Sequence, residues 1–408
     1  MFLLKSAWDN LKFHKKRSIL SILLIAIASG AILLYRGFVE YSEQGMAIGF
    51  ITDSGHIQVA VKDFWDKKDN KDLILTSENL TDLKKIFDKI PQISNFDFVL
   101  NFQGIIGTEN SSSIFWGAGY DEPHSFGVTE GFPIFDGDNA IIVGNILFKK
   151  LNLDLKTNNY VNILSSIGST GLLTSSFEVS GRIDTGSPQN DEGFVIASRK
   201  TLIKFLDIEE SASYARIYLK NNSNLQKMSD IKKLENELNM YFKKNNLNFE
   251  TKNWKELNPY WGQVSGLFNV QFAVMSTILC ILIFVALTQS LSAGFMERIT
   301  EFGTMEAIGL KKSLLIFILI LEVCILSISG ITGGILLSQL GNFITKTFDI
   351  TMNPPGSNRE YLLNFYITAK SICVTQTFIF FTTLIAVIYP IYTIKKYSTI
   401  KLINYSTN

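Results

Sequence analysis

Four apolar runs, separated by charged connections, constrain this chain more than any other feature. They are Ile19 to Tyr35, a run placed at Leu267 to Leu291 within the uncharged stretch Leu257–Met296, Ser313 to Thr345, and Ser371 to Ile394. Each approaches or exceeds the roughly 20 residues that carry a helix across the hydrocarbon core of a bilayer. Backbone N–H and C=O groups in lipid must find partners within their own segment, so runs of this kind become helices. The expected fold is therefore an α-helical membrane protein with four transmembrane helices and a large mixed α+β extracytoplasmic domain between helices one and two.

Basic residues in the short flanks orient the chain. Lys5, Lys12, Lys15, Lys16 and Arg17 precede the first run; Arg298, Lys311 and Lys312 lie between the second and third; Lys395, Lys396 and Lys401 follow the fourth. The longer connection between the third and fourth carries only Lys346, Arg359 and Lys370. Both termini are thus expected in the cytoplasm and the bulk of the chain outside. The expected segments are a cytoplasmic interfacial helix at 1–17, a first transmembrane helix at 18–40, and an extracytoplasmic α+β domain at 41–262. A second transmembrane helix at 267–292, a cytoplasmic connecting helix at 296–310 and a third transmembrane helix at 313–345 follow. An outer loop at 346–370, a fourth transmembrane helix at 371–394 and a cytoplasmic tail at 395–408 complete the chain. Ala26 and Ala28 raise the alternative of a cleaved signal peptide, but the apolar run continues through Ala31 to Tyr35, which favours a retained helix.

Residues 1–17 carry Phe2, Leu3, Trp8, Leu11 and Phe13 among lysines, a pattern suited to the inner-leaflet surface. Cys280, Cys324 and Cys373 all fall in apolar runs and read as packing residues, leaving the outer domain to be held by its core. Within that domain "HIQVAV" (His56–Val61), "SSIFWGAG" (Ser112–Gly119) and "YVNIL" (Tyr160–Leu164) read as strands. "DIKKLENELNMYFKK" aligns Ile231, Leu234, Leu238, Tyr241 and Phe242 on one helical stripe. Turn-rich clusters at Gly119–Asn139 and Asp184–Gly193 suggest two parts: 41–120 with 205–262, and an inserted 121–204.

Several chemistries lack their signatures. The net charge of +1 gives no electrostatic reason to expect nucleic acid. No G-x-x-x-x-G-K-[ST] loop is present, so ATP-driven work calls for a partner. His14, His56 and His124 stand apart from cysteines and from one another, offering no zinc pattern; Ser169 in "SIGSTG" lacks a hydrolase elbow. No catalytic residue, metal ligand or bound cofactor is expected. Glu322, about ten residues into the third run, is costly in lipid and reads either as functional or as hydrogen-bonded within the bundle. Gly330 and Gly334 have the small-xxx-small spacing of close helix packing, which serves the bundle or a dimer.

The segment Met296–Leu310 mixes charges with Ile299, Phe302, Met305, Ala307 and Ile308 and ends at Gly309, a C-cap signal. It reads as a short amphipathic helix whose apolar face goes to lipid head groups or to the groove of a partner. A helix joined to two membrane helices in this way transmits the movement of whatever docks on it.

On these residues the chain resembles the MacB/LolC/LolE/FtsX family of ABC-transporter permeases. "RITEFGTMEAIGLKKSLLIFILILE" (Arg298–Glu322) is similar to the family signature, "NLKFHKKRSILSILLIAIASGA" (Asn10–Ala31) to its first helix, and "AIIVGNILFKKLNLDLKTNNYVNIL" and "GRIDTGSPQNDEGFVIAS" to its outer-domain motifs. "GHIQV" (Gly55–Val59) resembles the LolC and LolE branch most. The resemblance implies a permease that works by mechanical transmission. A cytoplasmic nucleotide-binding ATPase binds ATP and magnesium; a second permease subunit, identical or not, completes the dimer. The cargo is an acylated lipoprotein passed to a periplasmic chaperone, and the location is the bacterial inner membrane.

By matching position, Glu301, Gly303, Met305, Glu306, Ala307, Ile308 and Gly309 form the coupling helix on the ATPase. Phe38, Val39, Met46, Phe50, Trp261, Val264 and Phe268 are expected to line the lipid-access surface, although Trp261 also suits an interfacial aromatic belt. The stretch that hooks the chaperone in LolC-like proteins corresponds to Ser165–Ser176, which has no proline and no charge, so a partner subunit is expected to recruit the chaperone. Two alternatives share the architecture: a MacB-like efflux or peptide-export permease, and an FtsX-like activator of a cell-wall hydrolase that transports nothing.

Overall fold

A computed structural model of the chain describes residues 2–66, 73–123, 126–135, 138–166, 171–220, 228–352 and 360–396. Two compact units emerge: Met1–Gly45 with Gln263–Thr351 and Leu362–Asn408, and Met46–Gly262 with Met352–Tyr361.

The first unit is helical. A short N-terminal helix, Phe2–Phe13, precedes the first long helix, Lys15–Ser54; the second long helix is Pro259–Glu297 and the third Lys312–Thr347. The fourth runs from Ala369 and is broken at Val387 into Ala369–Ala386 and Ile388–Lys396. Pro390 accounts for the break, because it has no N–H to donate to the carbonyl four residues back. All four are long and apolar enough to cross a membrane, by length and composition.

The first three are longer than expected. The 18–40 segment belongs to a helix that runs from Lys15 to Ser54, about 60 Å at 1.5 Å per residue. Hydropathy marks where lipid ends, whereas the helix ends only at a stop signal, here Gly55 at φ +74°.

Ile25, Leu287, Leu291, Phe295, Leu315, Leu319 and Ile379 form the core of this unit. Polar pairs join its helices: Ser29 Oγ donates to Gln376 Oε1 at 2.8 Å, Thr383 Oγ1 to Ser327 Oγ at 2.8 Å, and Ser21 lies 3.0 Å from Ser290. Gly330 and Gly334 are spent inside the chain. A Cβ on Gly330 would lie 2.5 Å from Ile25 Cβ, and one on Gly334 would run into Ser29, so both admit the first long helix against the third.

The second unit is built on ten strands: β1 Ile57–Val61, β2 Ile93–Gly107, β3 Ser112–Tyr120, β4 Glu130–Gly131, β5 Ala140–Gly144, β6 Tyr160–Ser165, β7 Leu173–Ile183, β8 Phe194–Ser198, β9 Tyr214–Leu219 and β10 Phe249–Asn253. Their order is β10-β1-β9-β2-β3-β8-β5-β7-β4, with β6 pairing both β2 and β7. The path β2-β3-β8-β5-β7-β6 therefore returns to β2 and closes a small six-stranded barrel. Its interior holds Leu100, Phe102, Phe115, Val161, Ile163, Phe177 and Val195. The other half of the unit packs Ile57, Val59, Phe98, Ala215 and Ile217 against the helices Ser77–Phe87 and Met228–Lys244.

Within the second unit, two hydrophobic cores meet along β2. Ile93 and Phe98 belong to one core, Leu100 to Ile106 to the other. A strand shared by two cores leaves no turn-rich seam in composition. On the helix Met228–Lys244, Ile231, Leu234, Leu238 and Phe242 are buried as expected, but Tyr241 is exposed. Glu235 takes the buried place, accepting from Asn253 Nδ2 at 2.9 Å, and burial holds its carboxyl above the ordinary value. The hairpin expected at Ser165–Ser176 is the β6–β7 pair, with Asn162 opposite Ser176 and Leu164 opposite Thr174. Its tip, residues 167–170, lies outside the described residues, as does His124.

Candidate functional site

The connecting helix Ile299–Ala307 begins where the second long helix stops. Arg298, at φ −109° and ψ 10°, forms the corner between them. Ile299, Phe302 and Gly303 are buried, and the Phe302 ring stacks 5.5 Å from Phe295. The apolar face expected to seek lipid or a partner is thus largely absorbed by the bundle, because Ile299 and Phe302 fall one turn apart on the inward side. The outward side carries Glu301, Thr304, Ala307 and Ile308, with Ile308 86% exposed. Gly309 closes the helix at φ +105°, a left-handed conformation that favours glycine; its N–H donates to Glu306 O at 3.0 Å.

Of the residues assigned to docking, Glu301, Ala307, Ile308 and Gly309 are exposed, Met305 and Glu306 half-buried, and Gly303 buried. The Glu306 carboxylate lies 3.6 Å from Lys312 Nζ, so it ties the helix to the start of the third long helix.

Glu322 is 4% exposed and accepts from Arg298 Nη1 at 3.2 Å and Asn10 Nδ2 at 2.8 Å. An acid within an apolar helix therefore faces protein and is paired. Nearby, Arg17 and His14 approach Glu297 at 3.7 and 3.8 Å.

At the other end of the helical unit, the Phe38 and Phe268 rings meet edge-on at 6.4 Å. Val264 is half-buried, whereas Val39 is 0% exposed and turned into the protein, so it contributes nothing to an accessible surface. A polar network that the sequence reading missed lies beside the aromatic pair. Arg36 Nε bonds Glu40 at 2.9 Å, Arg36 Nη1 bonds Asn269 at 3.3 Å, and Glu43 accepts from Asn269 at 3.2 Å and from Ser265. The signal was the run of Glu40 and Glu43 four and seven residues after Arg36, one helical face.

In the second unit, Met46 and Phe50 are half-buried, with Phe50 against the core. Trp261 packs on the same core 5.3 Å from Trp254, under Lys255 Nζ at 4.1 Å. Its role there is at least partly structural. The last helical carbonyls of Thr52, Asp53 and Ser54 are taken by Tyr218 Oη at 3.0 Å, Arg216 Nη1 at 2.8 Å and Gln58 Nε2 at 3.0 Å. A cation at a helix C-terminus also opposes the partial negative charge there.

Residues 273–399 match the FtsX-like permease C-terminal family. No curated protein gives a significant sequence match. Among solved structures, the periplasmic region of MacB from Actinobacillus actinomycetemcomitans is similar at 11% identity, covering 52% of this chain and 94% of that one, with a TM-score of 0.36. The extracellular domain of the noncanonic ABC-type transporter YknZ from Gram-positive bacteria is similar at 12% identity, covering 48% and 99%, with a TM-score of 0.33.

Proposed function

We propose that the chain, whose residues 273–399 match the FtsX-like permease C-terminal family, is the permease subunit of an ABC transporter, driven by a separate cytoplasmic ATPase that holds ATP and magnesium. The observation that carries this reading is the connecting helix. Its inner face is locked into the bundle at Ile299, Phe302 and Gly303, while Ala307 and Ile308 stand in the open where a soluble partner reaches them. A rigid lever needs that division between a fixed face and a free one.

The chain lies in the bacterial inner membrane with both termini inside and residues 41–262 outside, as the basic flanks direct. A second permease subunit completes the dimer. The cargo is an acylated lipoprotein, lifted from the outer leaflet along the Phe38–Phe268 aromatic pair and handed to a periplasmic chaperone. Each buried methylene holds an acyl chain in the bilayer by about 0.8 kcal/mol, so extraction needs both an energy source and an apolar receiving surface. The likeness of Gly55–Val59 to the LolC and LolE branch supports this cargo over the alternatives.

Affinity purification of the full chain in mild detergent, followed by mass spectrometry, tests the proposal. A nucleotide-binding subunit together with triacylated lipoprotein is expected. An adaptor or a wall hydrolase in place of lipoprotein would transfer the reading to export or to hydrolase activation, and the lack of any nucleotide-binding subunit would overturn it.

A further inference from the structure

The corner at Arg298 is held by more than the chain itself. Its guanidinium is buried, sits 5.0 Å over the Phe302 ring, and has two carboxylates within reach: Glu322 at 3.2 Å and Glu301 at 3.6 Å. Glu301 is largely exposed and on the connecting helix itself; Glu322 is buried on the third long helix. Only the Glu322 contact joins one element to another. The same oxygen, Glu322 Oε1, also accepts from Asn10 of the N-terminal helix at 2.8 Å. One carboxylate therefore gathers three elements, its own helix and two partners that lie 24 and 312 residues from it in sequence.

We infer that Glu322 is a positioning residue that ties the N-terminal helix and the connecting helix to the third long helix, so that the two move as one. A buried cation and a buried anion each lose far more by standing alone than they gain as a pair, so neither leaves without the other. If the carboxylate loses its charge, Arg298 is left with Glu301, which is already in solvent, and the corner follows the guanidinium outward. Asn10 then loses its charged acceptor, and with it the polar contact of the N-terminal helix. Ala7 and Leu11 still pack inward, while Trp8 and Phe13 face out. The N-terminal helix thereby becomes part of the lever and not merely a surface float. The consequence for ATP coupling rests on the function proposed above; the tie itself does not.

The test uses the full chain in nanodiscs without any ATPase, which keeps the two readings separable. Spin labels are placed at Trp8→Cys and Ala307→Cys, both exposed positions, after Cys280, Cys324 and Cys373 are changed to serine. The expected results are a narrow label-to-label distance distribution in the parent, loss of the narrow peak with raised mobility at both labels in Glu322→Gln, and raised mobility at position 8 alone in Asn10→Ala. An exchanged pair, Arg298→Glu with Glu322→Arg, is expected to restore low mobility at position 307, which a general loosening of the bundle does not predict. Unchanged distances in Glu322→Gln, or a connecting helix that loosens in Asn10→Ala as much as in Glu322→Gln, would overturn the inference.

Discussion

Arg216→Met in the sheet unit separates a paired charge from a packed side chain. Arg216 on β9 stands directly opposite Asp97 on β2, and the two side chains, 3% and 9% exposed, form an ion pair. The guanidinium also lies 4.4 Å over the Tyr120 ring and donates to the Asp53 carbonyl at 2.8 Å. Methionine keeps most of the stem volume but leaves the Asp97 carboxylate buried without its cation, still accepting from the Asp121 N–H at 3.2 Å. Breaking a buried pair from one side costs about 3–5 kcal/mol, and the lost bond to Asp53 adds about 1. At roughly 2–4 °C per kcal/mol for a domain of this size, the unfolding midpoint should fall by about 10–20 °C.

Arg216→Met combined with Asp97→Asn removes the orphan charge while keeping an acceptor for Asp121. The double variant should recover about half of the loss, so the coupling energy should be at least about 2–3 kcal/mol. Burial already holds the Asp97 carboxyl above its ordinary value despite Arg216 beside it. In Arg216→Met the penalty should therefore shrink as pH falls and Asp97 takes up a proton. Tryptophan fluorescence during thermal or urea unfolding is a suitable assay, because four of the five tryptophans (Trp65, Trp116, Trp254 and Trp261) lie in this unit. Additive losses in the double variant, or a shift below about 3 °C in Arg216→Met, would refute the reasoning.

Gly330→Val should force the first and third long helices apart and lower the detergent melting temperature by an amount equivalent to about 1–3 kcal/mol. Gly49→Ala, where a Cβ meets nothing within 4 Å, should instead be neutral or stabilising by about 0.5–1 kcal/mol; equal behaviour of the two variants would contradict the packing role. His56 accepts from the Leu219 N–H at 3.2 Å through Nδ1, and burial pushes its imidazole below the ordinary value. The unfolded chain takes up that proton near pH 6.5 while the folded chain resists it, so stability should decline as pH falls below about 6.5; His56→Asn should flatten the decline. Ile308→Glu should leave membrane insertion intact while abolishing stimulation of the partner ATPase, read as phosphate release with and without the permease.

The four long apolar helices were legible because an apolar run of that length has few other fates, and the strands at His56–Val61 and Tyr160–Leu164 because alternation and β-branching are local. Glu322 was legible as an acid that either serves function or is hydrogen-bonded within the bundle, but not with which partners. Its partners, Arg298 and Asn10, are brought to it by a helix corner and by the return of the N-terminal helix, neither of which leaves a trace at fixed spacing. The barrel closure through β6 was hidden for the same reason, since it joins β2 to a strand more than 50 residues later. The break at Val387 was readable from Pro390 and was overlooked beneath a continuous apolar run. Gly330 and Gly334 announced close packing, but only the structure shows that Ile25 and Ser29 of the same chain occupy the groove. The exposed side of the connecting helix differs from the expected one for a related reason: which side of Ile299–Ala307 faces the bundle is set by the corner at Arg298.

Reconstitution tests the central claim most directly. The permease, its ATPase and any second permease subunit are placed in proteoliposomes with a fluorescent triacylated lipoprotein in the outward-equivalent leaflet and a soluble lipid-binding acceptor outside. ATP-dependent transfer of the lipoprotein to the acceptor, absent with a non-hydrolysable analogue and with Ile308→Glu, is the predicted result. ATP hydrolysis that proceeds at full rate while the lipoprotein stays in the membrane would contradict it.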